Sequence, residues 1–174
     1  MLSLGRLAWY VFLMNVDRIL ATMHDQGVRC LLIGGMNFLL RHEPVLTYDV
    51  DLWIEDTEEN RRRCERALAS LDAAWGATEA EWKPVAELPT GWLSRQPVFA
   101  LTTAHGAVDI FRSLAGLSDW QASFADAPLE CTAAGTPYRG LSDRDMLRCQ
   151  EALDPSECKL ERVRKLREAL EGQI

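Results

Sequence analysis

The chain has 174 residues, 48% hydrophobic and 26% charged, which suffices for one buried core and excludes a disordered chain. Its formal net charge is −7 and its pI about 5.0, which opposes broad, salt-driven binding to nucleic acid and leaves only a local basic patch, such as Arg61-Arg62-Arg63, for it. Five cysteines (Cys30, Cys64, Cys131, Cys149 and Cys158) are odd in number and show no CxxC spacing. They predict reduced thiols in a cytoplasmic protein, not a disulfide framework or a zinc site. The apolar run Leu7 to Met14 is too short to cross a bilayer and lacks the flanks of a signal peptide, so no membrane association is expected.

In chain order, Leu4 to Gln26 reads as a helix, with Val16, Ile19, Leu20 and Met23 at helical spacing and Gly27 as its stop. Val28 to Ile33 reads as a buried strand. Gly34-Gly35 then turns the chain into a short helix to about His42, broken by Pro44. Tyr48 to Ile54 alternates and predicts a strand with Val50, Leu52 and Ile54 on one face and Asp49, Asp51 and Trp53 on the other.

Asp56 and Thr57 are competent caps for a helix to about Leu71, whose Arg61, Arg62 and Arg63 make a solvated, basic first turn. Residues 75–90, with Pro84 and Pro89, predict a loop carrying one short strand or turn. Pro97 to Ala104 and Ala107 to Phe111 predict a hairpin around His105-Gly106. A short helix near Ser118 to Phe124 follows, then a small hairpin, Leu129 to Thr132 with Thr136 to Arg139. Ser142 caps a helix to about Leu153, and Lys159 to Leu170 forms a last helix with Leu160, Val163, Leu166 and Leu170 on its apolar side. The alternation of strands and helices predicts an α/β (α+β) mixed sheet flanked by helices. Residues 1–140 would form the core, and residues 141–174 the C-terminal helices packed on it.

The chemistry concentrates on three aspartates. Asp49 and Asp51 share a strand face, and Asp109 in Gly106-Ala-Val-Asp-Ile-Phe111 points to the same side as Ala107 and Phe111. If the two strands are neighbours, three carboxylates converge, and like charges so close call for a cation such as Mg²⁺ or Mn²⁺. The Gly34-Gly35 turn offers backbone N–H groups at a helix N-terminus, where a phosphate is held by hydrogen bonds and the helix dipole. Trp53, on the carboxylate face, reads equally as a ring that stacks on a base or one that packs beneath a loop, and His42 reads first as a surface or loop histidine and only second as one that reaches the site.

Gly34-Gly35, then Thr47-Tyr48-Asp49-Val50-Asp51-Leu52, then Val108-Asp109-Ile110, resembles the nucleotidyltransferase superfamily of the DNA polymerase β type, and within it the minimal bacterial branch of abortive-infection and toxin–antitoxin nucleotidyltransferases. The resemblance runs over roughly residues 28–111. It implies that Gly34, Gly35 and Thr47 contact the nucleotide and that Asp49, Asp51 and Asp109 are metal ligands and catalytic residues, with Asp109 helping to activate the attacking hydroxyl. The implied reaction transfers NMP from an NTP to a hydroxyl of an RNA or protein acceptor. An antitoxin-like protein partner is implied as well. A degenerate relative would keep the fold as a nucleotide-binding or interaction module. Where relatives carry a basic residue two positions before the Thr, this chain has Val45, and Arg41, Arg148, Lys159 or Arg162 could substitute for the missing charge.

Overall fold

The computed structural model describes residues 14–172; the predicted first turns of the N-terminal helix lie outside the described residues. Helix α1 spans Val16–Asp25 and is capped by Asn15, whose side chain accepts from Arg18 N–H. It buries Ile19, Leu20 and Met23 on one side, as the spacing predicts. Gly27, at φ +66°, lets the chain reverse into β1, Cys30–Ile33. Helix α2 follows at once, Gly34–Arg41. Strand β2 is Asp49–Ile54, and α3 is Glu58–Ser70, capped by Thr57 through Asn60 N–H.

The arginine trio stands where the sequence put it, on the solvated start of α3. Arg61 pairs with Asp56, Arg62 with Glu58 and Arg63 with Glu59. Residues 75–90 hold more order than predicted: β3, Ala74–Trp75, and β4, Lys83–Pro84, pair at the edge of the sheet, with two 3₁₀ turns beside them. Glu65 of α3, buried, fixes the next 3₁₀ turn by accepting from the N–H groups of Gly91 and Leu93. The hairpin β5, Val98–Thr103, and β6, Gly106–Phe111, forms as expected. Helix α4 is Trp120–Asp126, and β7, Leu129–Cys131, pairs with β8, Pro137–Arg139. Ser142 caps α5, Asp143–Glu151, and α6 is Leu160–Glu171. Leu160 departs from the predicted apolar side of α6, since it is 76% exposed, whereas Val163 and Leu166 are buried.

The main sheet has the order β1-β2-β6-β5-β3-β4. Only β2 and β6 run parallel; every other neighbouring pair is antiparallel. This is the predicted α/β (α+β) mixed sheet flanked by helices. One face carries Val50, Leu52, Ile54, Val108, Ile110, Phe99 and Leu101, all buried under α1, α3 and the 76–97 segment in the larger core. The other face is divided. Over β1 and the far ends of β2 and β6 it is covered, with Leu31, Ile33 and Trp53 packed against Phe38, Leu141, Met146 and Leu166. Over the start of β2 and β6, and all of β5, no helix among the described residues covers it, and there the aspartates lie.

Candidate active site

Strand pairing brings the three carboxylates together. Asp51 is the direct neighbour of Asp109 across the parallel β2–β6 pair, and Asp49 is the neighbour of Ala107, so all three side chains leave the same face. One carboxylate oxygen from each lies within 4.8 Å of the others. The partial burial of these groups and their mutual repulsion set the electrostatics. Burial first, then the charges of Asp49 and Asp109, push the Asp51 carboxyl up to about 7, with Arg162 pulling the other way. Burial and Asp49 push Asp109 up to about 6. A divalent cation with hard oxygen preference relieves that repulsion, and three half-buried carboxylates on a rigid sheet fit such an ion. Asp49, Asp51 and Asp109 are the residues that would hold it.

Beside the carboxylates the chain makes a close turn. Gly34, at φ +66°, opens α2 directly after β1, and a Cβ there would overlap the Asp51 carboxylate. Only glycine meets both demands, the left-handed conformation and the close approach. At Gly35 a Cβ would stand 2.9 Å from Thr47 Oγ1 and 3.5 Å from an Arg162 Nη. Ile33, the residue capping α2, supplies no side-chain hydrogen bond to the first turn. The first N–H groups of α2 therefore look toward the carboxylate cluster with the positive end of the helix dipole.

Of the four cations available to replace the missing charge at Val45, the structure selects one. Arg162, reaching from α6, stands over the Phe38 ring at 5.3 Å and faces Asp51. Its Nε is buried and has no hydrogen-bond partner among the described residues. Burial lowers its pKa and Asp51 raises it, and a guanidinium remains charged throughout. Two of the others are paired with carboxylates, Arg41 with Asp143 and Glu130 and Arg148 with Asp145, while Lys159 sits at the N-terminal end of α6, where its backbone N–H bonds to Gln150. Val45 itself packs against the smaller core. Sequence spacing gives no signal for Arg162, because α6 meets α2 only through tertiary packing.

Two readings left open by the sequence are decided by packing. Trp53 shares the carboxylate face but is 3% exposed, edge-on to Trp120 at 6.5 Å, because the helices over this part of the sheet cover it. It is a core residue and cannot stack on a base. His42 does not reach the site either. Its Nε2 lies 2.8 Å from Asp143 Oδ1, joining the end of α2 to the start of α5. The cysteines are free, as predicted; burial pushes the Cys30 thiol up to about 12 and Cys64 well up also, which makes both unreactive. Among the described residues no helix is long and apolar enough to cross a membrane.

No family model and no curated protein matches the chain. Solved structures do. The crystal structure of ANT(2″)-Ia in complex with adenylyl-2″-tobramycin superimposes with a TM-score of 0.55 at 17% identity, over 89% of this chain and 87% of that one. A Thermotoga maritima protein described as a nucleotidyltransferase gives a TM-score of 0.52 at 16% identity, over 90% and 91%. At such identities the likeness speaks for the fold alone, and the fold of this chain is that of a nucleotidyltransferase.

Proposed function

We propose that the chain is a metal-dependent nucleotidyltransferase that moves the NMP part of an NTP onto a hydroxyl of a protein or RNA acceptor. The observation that carries this is the meeting of Asp49, Asp51 and Asp109 within 4.8 Å on an open sheet face, with Arg162 and the start of α2 beside them. Acids and a phosphate-binding cation on adjoining elements suit an anionic, metal-chelating substrate. Mg²⁺ or Mn²⁺, when bound, would neutralise charge on the phosphates and polarise the phosphorus.

The chain's own groups divide the remaining work. The N–H groups of Gly34 and Gly35, the Thr47 hydroxyl and the Arg162 guanidinium would bind and orient the triphosphate. The acceptor oxygen forms a bond to the α-phosphorus while the bond to the oxygen leading to the β-phosphate breaks, and pyrophosphate leaves. Asp109, on the same sheet face as the other two carboxylates, would help to take up the hydroxyl proton. The test is transfer of label from α-labelled NTP. Asp49→Ala, Asp51→Ala and Asp109→Ala should each abolish it, while the wild-type chain labels an acceptor only with Mg²⁺ or Mn²⁺ present. Binding of nucleotide without transfer of label from any of the four NTPs to RNA or protein would falsify the enzymatic reading.

A further inference from the structure

We propose that the cavity between α1, β1 and β8 is a binding site for a small organic anion, an apolar body of roughly six to ten carbons that carries one carboxylate. It lies on the sheet face opposite the aspartates, so it neither uses nor depends on the nucleotidyl-transfer reading.

The walls come from several elements. Leu32 of β1 pairs with Leu52 of β2, and alternation sends both side chains away from the face of Asp51, so they form the floor. Leu20 and Met23 of α1 make one wall. The chain just after β8 joins the edge of β1 through the Leu32–Gly140 bridge, and β8 with Phe124 of α4 completes the enclosure. His24 and Leu129 are exposed and mark the open side. The cavity measures about 220 Å³. A cavity of about 150 Å³ lined by leucine, isoleucine and phenylalanine takes up benzene, so this one has room for a ring or chain of roughly eight carbons. A body of that shape gains dispersion contacts with all the walls at once.

The charge of the lining selects the class of ligand. The molecule carries a net charge of −7, yet among the described residues no acidic side chain lines this cavity, whereas Arg29, Arg139 and His24 do. Arg29 is matched by Glu55, 2.6 Å from its Nε. Arg139 has no carboxylate partner among the described residues. Its Nη1 donates to the Ala127 carbonyl oxygen at 2.7 Å, and its guanidinium lies over the Phe124 ring at 4.8 Å. Stacking occupies the face of a guanidinium and leaves the N–H groups along its edge. The Nε–Nη2 edge is a planar fork that fits a carboxylate with two hydrogen bonds. An alcohol of the same size offers that fork no charge, and an amine is repelled by it. An apolar anion satisfies the walls and the guanidinium together.

The test reads the binding of octanoate to the full chain by calorimetry, with 1-octanol and octylammonium as its uncharged and cationic matches. Octanoate should bind with a dissociation constant at or below about 1 mM, and at least about tenfold more tightly than either match. Arg139→Gln should weaken octanoate by about tenfold or more and leave 1-octanol as it was, with Arg139→Lys recovering part of the loss. Isotope-edited NOEs from the octanoate chain should reach the methyl groups of Leu20, Leu32 and Leu52. The comparison with 1-octanol and the NOEs use the wild-type chain, so they decide the matter even where a variant fails to fold. Octanoate binding weaker than about 1 mM, equal affinity for 1-octanol, indifference to Arg139→Gln, or NOEs to another part of the molecule would each overturn the inference.

Discussion

Asp51→Asn should make the metal-free protein more stable while removing its capacity for metal. Asp51 lies between Asp49 and Asp109 with its carboxylate against Gly34, and its pKa is pushed up to about 7 by burial and by those two charges. The folded chain therefore binds this proton more tightly than the unfolded chain does. Such a group lowers stability as pH rises from near 4, where the unfolded carboxyl ionises, to about 7, where the folded one does. Three pH units correspond to about 4 kcal/mol at the limit, and access of solvent to this half-open face reduces that to about 2 kcal/mol. The amide is nearly the same shape and carries no charge, so it escapes the cost. In EDTA at pH 8, Asp51→Asn should melt about 4–8 °C above the wild type, and at pH 4.5 the two should nearly coincide. Added Mg²⁺ should raise the melting temperature of the wild type and leave the variant unmoved. Equal stability at pH 8 without metal, or a gain of the same size at both pH values, would show that the carboxylates do not repel one another as argued.

Other substitutions probe the neighbouring groups. Arg162→Gln should weaken Mg²⁺–NTP binding by about 1.5–3 kcal/mol, the range of a hydrogen bond to a charged partner, with Arg162→Lys recovering part of it; calorimetry reads both. Unchanged affinity in the Gln variant would remove Arg162 from the phosphate site. Gly34→Ala asks an L side chain to adopt φ +66° and to occupy the space of the Asp51 carboxylate. It should cost about 1–2 kcal/mol of stability from the backbone alone and abolish the thermal shift with Mg²⁺, as differential scanning fluorimetry would report. Trp53→Phe should lower the melting temperature, since the ring is 3% exposed and packed against Trp120, yet leave nucleotide affinity and base preference as they are. A changed base preference would return Trp53 to the site.

Much of the site is legible in the chain because its parts are local. Alternation alone puts Asp49 and Asp51 on one strand face and Asp109 on the face of Ala107 and Phe111, and the two strands are found paired as parallel neighbours. Gly34-Gly35 marks the turn into α2, and Thr57 and Ser142 mark the helix starts they cap. Residues 75–90 are not legible in this way. Strands of two residues are too short to show a period, and β3 and β4 exist only because each finds a partner at the sheet edge.

The sequence by itself determined the mixed α/β class, the face shared by the aspartates and the glycine turn, since each depends on spacing over a few residues. It also placed Trp53 on the carboxylate face, and there its information ended. Burial is decided by what packs on the sheet, and among the described residues α4, α5 and α6 cover one end of that face and not β5. Tertiary structure alone chose Arg162 from four arginines and lysines of equal standing in the sequence, because Arg41 and Arg148 found carboxylates nearby and Arg162 found Phe38 and Asp51. The physical reason is the same in both cases. A charge or an aromatic ring acquires its role from the groups that surround it, and those groups come from distant parts of the chain.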